Sequence, residues 1–445
     1  MPPYKTILID DDAWPHFNRA SFDQDKLVSF GDYQYGLYWS ADATLILFRR
    51  DLRDDTLQKL RLPYVLTINP KDGHRNTVVG ISPEEGRLHL SWDHHNNDLR
   101  YTKSNPGFLT SPPGTIRVED FEPAQLLVDN APQKVTYPRF FNAPNENLFL
   151  MYRTGSSGSG DSVLSRYDAA SGSWRIVTTC LFSKEGIYPS WENSDSRNAY
   201  LHDVLFDRSG KLHITWVYRE TSKSPASNHD LHYAWSDDDG LTWRNNAGDQ
   251  IADLAAGNPI ALADPGIIVC EIAVYRWLMN QCGMTLDSLN RPHVTTFHMR
   301  EIWKPEPLVH NPPAEVFDRF FPHHYWRDSD GVWQGSGPIT DPGRNVEQQG
   351  RLQRPNIVVD REDNVFIYHA TGQGYRCHTA RAADDYGKWT TLALTGTEFG
   401  ATDAGKHDRR LLRDRGILSF TAEPVVKEGQ TAFAIVDFNE QHLYP

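Results

Sequence analysis

The chain is poor in sulfur. Its 445 residues include four cysteines, Cys180, Cys270, Cys282 and Cys377, and five methionines. The cysteines are scattered and none forms a C-x-x-C pair, which excludes a disulfide-stapled scaffold and a zinc ribbon. Long apolar runs are missing too. No stretch approaches the ~20 residues of a membrane-spanning helix, and mean hydropathy is -0.57. A surplus of positive charge is also absent: 45 Lys and Arg stand against 58 Asp and Glu, a net charge of -13. The basic face that a non-specific nucleic-acid binder needs is therefore not available. Nothing resembles a linker, because the 28 Pro and 31 Gly are spread throughout. The opening segment MPPYKTILIDDD has neither a basic n-region nor an apolar h-region. The protein is expected to be secreted, with its signal peptide outside these residues; a cytoplasmic location is the alternative.

What the chain has in quantity is aromatic residues, 13 Trp, 19 Tyr and 20 Phe, and hydrophobic residues at 39%, enough for a large core. Helical periodicity is scarce. Short runs rich in β-branched and aromatic residues recur instead, such as Arg87–Trp92, Asn147–Tyr152, Lys211–Trp216 and Asn364–His369. Each is bounded by Gly, Asp or Asn, the signature of a strand. Several open alike, with an acidic or Gly-containing turn before the strand, at Glu84, Asp207, Asp287 and Asp360. Ser236-Asp237-Asp238-Asp239-Gly240-Leu241-Thr242-Trp243 has the S-x-D-x-G-x-T-W pattern of an Asp-box, the turn between two outer strands of a propeller blade. There Asp caps turn N–H groups, Gly takes positive φ and Trp packs inward. Weaker echoes at Asp168, Asp328 and Asp384 read as turns rather than catalytic carboxylates. Internal repetition in an all-β chain points to a propeller. At roughly 45–60 residues per blade, the expectation is a seven-bladed β-propeller, a single domain over residues 1–445, and a monomer.

One region stands out for chemistry. His74 precedes a strand and His95 follows the next, 21 positions on, so a hairpin would return the second His to the first. Tyr137 and Arg153 flank another strand pair, 16 positions apart. Polar residues at strand ends of a propeller collect at one mouth of its channel, where these four would converge. Tyr137 precedes Pro138, which favours an extended backbone at Tyr137. His89, His213, His232 and His293 sit within strands and read as structural.

These segments resemble a known family. G-H-x-N…H-L-S-W-D-x-H-N-x-x-L-x-Y (His74 to Tyr101), T-Y-P-R-F (Thr136 to Phe140), M-Y-R-x-G-x-S-G (Met151 to Gly158), W-V-Y-R-E-T (Trp216 to Thr221) and N-Q-C-G-M-T-L-D-S-x-x-R-P-H (Asn280 to His293) look like those of the BNR-repeat polysaccharide lyases. That group includes the ulvan lyases and the L-rhamnose–D-glucuronate lyases. The resemblance spans residues 73 to 293. It implies a propeller that cleaves beside a uronate by β-elimination, with His95 as the central acid/base and Tyr137 as its partner, in either order. Elimination removes H5 and expels the group on O4. The uronate carboxylate must be neutralised while charge develops. Arg153, always charged and able to bind bidentately, suits that role, with His74 adding a hydrogen bond.

The substrate implied is a uronate-containing polysaccharide or oligosaccharide. An unsulfated gum-arabic type L-rhamnose-α-1,4-D-glucuronate linkage is preferred, because Lys is sparse in the matching segments; ulvan is the alternative. Arg139, Arg197, Arg219 and His94 are candidate substrate contacts, and Trp191 a candidate sugar-stacking residue. The resemblance also permits a structural cation. Calcium would suit Asp203, and zinc would suit His202, Cys282, Cys270 and His293. No organic cofactor is expected. Readings of other classes are a sialidase-like hydrolase and a non-catalytic carbohydrate-binding propeller. With an anionic substrate, the net charge of -13 requires the positive field to be local, around Arg153.

Overall fold

The computed structural model describes residues 4–14, 18, 25–67, 72–125, 134–221, 224–340, 354–371, 374–399, 405–424 and 430–439. Its regular structure is almost entirely strand. Among the described residues a single α-helix occurs, Arg409–Arg415, capped by the Asp408 side chain and ended by Gly416 at φ 66°. The four segments read as strands from the sequence lie in the strands Arg87–Trp92, Leu148–Arg153, Leu212–Glu220 and Val365–Thr371.

The recurring acidic turns have a common physical cause. Asp207 Oδ1 accepts the N–H groups of Ser209 and Lys211. Asp287 does the same for Leu289 and Arg291, and Asp360 for Glu362 and Asn364. Each carboxylate satisfies turn N–H groups that would otherwise lack partners, and so fixes a hairpin between two consecutive strands of a sheet. The turn after Asn228–Ser236 follows the expected physics too. Asp238 Oδ1 accepts from Leu241 and Thr242 N–H, Gly240 sits at φ 88°, and the fully buried Trp243 donates Nε1–H to Gly240 O.

The described strands form seven sheets. By contact the chain falls into two compact units. The first holds residues 1–152, 165–175 and 394–445, the second residues 153–164 and 176–393. In the first unit the N-terminal strand Tyr4–Asp10 pairs antiparallel with Phe433–Asn439, which also pairs with Ile417–Ala422, so the two ends of the chain share one sheet. Two further sheets, Leu27–Phe30 to Leu57–Val65 and Thr77–Ser82 to Tyr101–Lys103, pack Trp39, Trp92, Leu45, Leu47, Leu88 and Leu90 into one core. The second unit holds the sheets from Glu185–Tyr188 to Thr390–Ala393. All four cysteines are free thiols, in line with the sequence.

Candidate active site

In the first unit the hairpin of Thr77–Ser82 and Arg87–Trp92 pairs Thr77 with Trp92. The chain before the one strand and after the other therefore leaves at the same end. The entering loop is fixed from below. Buried Trp39 donates Nε1–H to Arg75 O (2.9 Å), Thr77 Oγ1 donates to Leu37 O (3.1 Å), and Asp93 N–H donates to Asn76 O (2.9 Å). Asp93 is itself buried and paired with Arg75 and Arg100.

This brings His74 and His95 together as the spacing predicts. Their rings stack with centroids 3.9 Å apart and planes 13° from parallel. Tyr137 joins them, its ring centroid 5.6 Å from that of His74. The short strand His95–Asn97 pairs with Val135–Asn142, placing Thr136 opposite His95, and Asn96 N–H donates to Thr136 Oγ1 (3.0 Å). The two strands behind this junction approach closely because Gly80 has no side chain: a Cβ there would lie 2.5 Å from Phe140 Cβ. Tyr137 is not extended. It sits at φ 57°, a conformation that costs a non-Gly residue roughly 1–3 kcal/mol and that surrounding structure must impose. The backbone at Tyr137 thus departs from the local preference before proline.

Asp72, which the motif reading passed over, ties the two histidines. Its Oδ1 lies 2.7 Å from His74 Nδ1 and its Oδ2 is bonded to His95 Nδ1. Burial opposes its ionisation, but the hydrogen bonds from His74 and His95 outweigh this and hold the carboxyl well below the usual carboxylate range. The sequence signal was its position two residues before His74, where it also caps the His74 N–H (3.0 Å).

The second unit carries a cationic cluster. Arg153 and Arg219 each donate to Tyr200 Oη at 3.2 Å. Arg219 also reaches Asn228 Oδ1 (2.7 Å), Asn280 Oδ1 (2.8 Å) and Ser157 Oγ (3.5 Å). Among the described residues its acceptors are all neutral, so its charge is not cancelled. Burial raises the pKa of the Tyr200 phenol, yet the Arg219 and Arg153 guanidiniums together outweigh it and bring it down to about 8. Tyr200 was not singled out from sequence, since nothing in the strand Ser194–Phe206 marks it beyond an aromatic in a strand.

The profile of the BNR repeat-containing family matches residues 33–338. The chain belongs to the BNR repeat-containing family. Within curated proteins it is similar to the long-isoform ulvan lyases of Glaciecola sp. (strain KUL10), 22% identical over 285 residues, and Alteromonas sp. (strain LOR), 24% identical over 285 residues. Each match covers 54% of this chain and 28% of the relative, so the chain spans less than a third of those relatives. Among solved structures its fold is similar to polysaccharide lyase Uly1, at TM-score 0.71 and 15% identity, over 99% of this chain and all of the other. It is also similar to a PL25 ulvan lyase bound to -[GlcA(1-4)Rha3S]-, at TM-score 0.65 and 12% identity, covering 98% and 96% of the two chains.

Other residues of this BNR-repeat chain lie differently from the sequence reading. Arg197 is fully buried and forms a bidentate pair with Glu220 (2.9 and 3.1 Å), so it braces the sheet rather than meeting a ligand. Trp191 is buried in a core with Trp277, Phe297 and Phe320 and packs on Tyr275 at 4.9 Å, so its faces are taken. His94 is fully buried. Its Nε2 meets Ser91 Oγ (3.0 Å) and the Arg100 N–H (3.2 Å), and burial pushes its pKa down to about 3. Arg139 is buried with Asp25 3.7 Å away. Arg219 is the one proposed substrate arginine that stands in the cluster with Arg153.

The suggested metal ligands are engaged with the backbone. His202 Nδ1 accepts the Cys282 N–H (3.0 Å), Cys282 Sγ reaches Met279 O (3.7 Å), and Asp203 Oδ1 accepts the Val204 N–H (2.8 Å). Among the described residues, ligand atoms within 4.8 Å of one another occur at Asp72, His74 and His95. The two rings there lie in planes 13° from parallel. As expected, His89 and His213 are structural, bonded to Tyr101 Oη (2.6 Å) and Tyr233 Oη (2.7 Å).

Proposed function

We propose that this protein is a polysaccharide lyase that cleaves ulvan beside its uronate by β-elimination, and that its seven sheets are the seven blades of one propeller. The observation that carries the proposal is the stacked His74–His95 pair on Asp72 with Tyr137 beside it. The similarity to ulvan lyases supports ulvan over the gum-type linkage that the scarcity of lysine favours. The pairing of Tyr4–Asp10 with Phe433–Asn439 and the succession of antiparallel sheets along the chain support the propeller.

In this reading a base removes H5 of the uronate, the electron pair forms the C4–C5 double bond, and the C4–O4 bond breaks as an acid protonates O4. His95 and Tyr137 divide the two proton transfers, each worth about 10²–10⁴-fold. H5 and O4 of a glucuronate lie on the same face of the ring, so both proton transfers take place on one side of the sugar, where neighbouring groups such as His95 and Tyr137 can share them. Arg153 has the chemistry to neutralise the carboxylate, since a guanidinium binds it bidentately and stays charged.

The test is incubation with ulvan and, separately, with gum arabic, following the ultraviolet absorbance of the unsaturated uronate. A rise with ulvan is expected. A rise with gum arabic alone would replace the substrate and keep the reaction. Sugar release without unsaturation would replace elimination with hydrolysis.

A further inference from the structure

Asp72 is only partly exposed, and both of its oxygens are committed. Oδ1 lies 2.7 Å from His74 Nδ1 and also accepts the His74 backbone N–H at 3.0 Å. Oδ2 is bonded to His95 Nδ1, with the buried Arg75 guanidinium 3.6 Å away. An ionised carboxylate accepts hydrogen bonds and has no proton to donate. Both Nδ1 atoms must then be the donors. A neutral imidazole protonated on Nδ1 carries its lone pair on Nε2. One side chain thus dictates the protonation pattern of two rings. The rings stack with centroids 3.9 Å apart, close enough for one carboxylate to span both Nδ1 atoms.

We propose that Asp72 is the positioning residue of the histidine pair, one carboxylate holding both rings in the Nδ1–H tautomer so that His74 and His95 each keep Nε2 unprotonated at rest. His95 then enters the reaction as a proton acceptor. That catalytic consequence rests on the lyase reading above; the tautomers themselves do not.

The test uses the full chain labelled with ¹⁵N-histidine near neutral pH, with the two rings assigned from His74→Gln and His95→Gln. In the wild type both rings should show protonated Nδ1 and unprotonated Nε2. Asn offers one acceptor oxygen and one donor amide in place of two acceptors. In Asp72→Asn one ring should therefore switch to Nε2–H. With ulvan, that variant should lose up to about ten-thousandfold in kcat, the scale seen when a catalytic His is left in the wrong tautomer, while KM changes little. Asp72→Glu, which keeps two acceptors, should retain both Nδ1–H tautomers. An Nε2–H tautomer on either ring of the wild type would overturn the proposal. So would an Asp72→Asn protein that keeps both tautomers or full kcat. The wild-type spectrum needs no variant to fold. A protein with the expected tautomers but no activity on any uronate polymer would sink the lyase reading and leave the tautomer assignment standing.

Discussion

Replacing Arg197 with alanine separates a structural role from a binding role. Arg197 and Glu220 both have side chains 0% exposed, and the guanidinium also donates to the carbonyls of Lys184, Glu185 and Gly186. Alanine would leave Glu220 buried without its bidentate partner, faced by His229 Nε2 at 3.0 Å and the Ser194 hydroxyl, and would remove the guanidinium's donation to the Glu185 and Gly186 carbonyls. Removing one partner of a buried ion pair costs about 3–5 kcal/mol, because the remaining charge is uncompensated. For a cooperative unit of about 200 residues, each kcal/mol moves the melting midpoint by roughly 2–4 °C, so a drop of about 6–20 °C is expected. A thermal melt followed by circular dichroism measures it, beside steady-state kinetics on ulvan below the melt. Arg197→Ala should lower the midpoint while leaving KM of the folded fraction near that of the wild type. An unchanged midpoint with a raised KM would refute this reasoning and return Arg197 to substrate binding.

Other outcomes follow from the same structure. Arg153→Lys keeps the charge but loses the bidentate fork, and kcat/KM on ulvan should fall at least about tenfold; an unchanged value would remove Arg153 from carboxylate binding. Gly80→Ala places a methyl 2.5 Å from Phe140 Cβ, and overpacking of this kind costs about 1–3 kcal/mol, read as a lower melting midpoint; an unchanged midpoint would refute the close approach. His94, His232 and His298 are fully buried, and burial first of all lowers their pKa values to about 3. The unfolded chain titrates these groups near about 6.5, so below that pH it binds protons that the folded chain does not. Stability should therefore fall as pH drops from about 6.5 towards 3, and equal melting midpoints at pH 7.5 and pH 5 would contradict the account.

The parts legible in the sequence were those with a local physical cause. The acidic turns at Asp207, Asp287 and Asp360 place their carboxylates on the N–H groups two and four residues on, so hairpins could be read directly. The spacing of His74 and His95 about a hairpin was enough to bring the rings together. What was not legible depended on partners distant in sequence. Arg197 read as a candidate substrate contact until Glu220 and the carbonyls around it were in place. Trp191 looked exposed until Trp277 and Tyr275 covered it. Tyr137 takes φ 57° despite Pro138. Asp72 and Tyr200 gain meaning only from the two side chains each one bridges.

The most direct test of the central claim is the proton NMR spectrum of an ulvan digest made with the wild type and with His95→Ala at matched folded concentration. The account predicts a growing vinylic H4 signal of the unsaturated uronate with the wild type, and at least about a hundredfold slower growth with His95→Ala. New reducing ends without a vinylic signal, or an undiminished rate in His95→Ala, would contradict it.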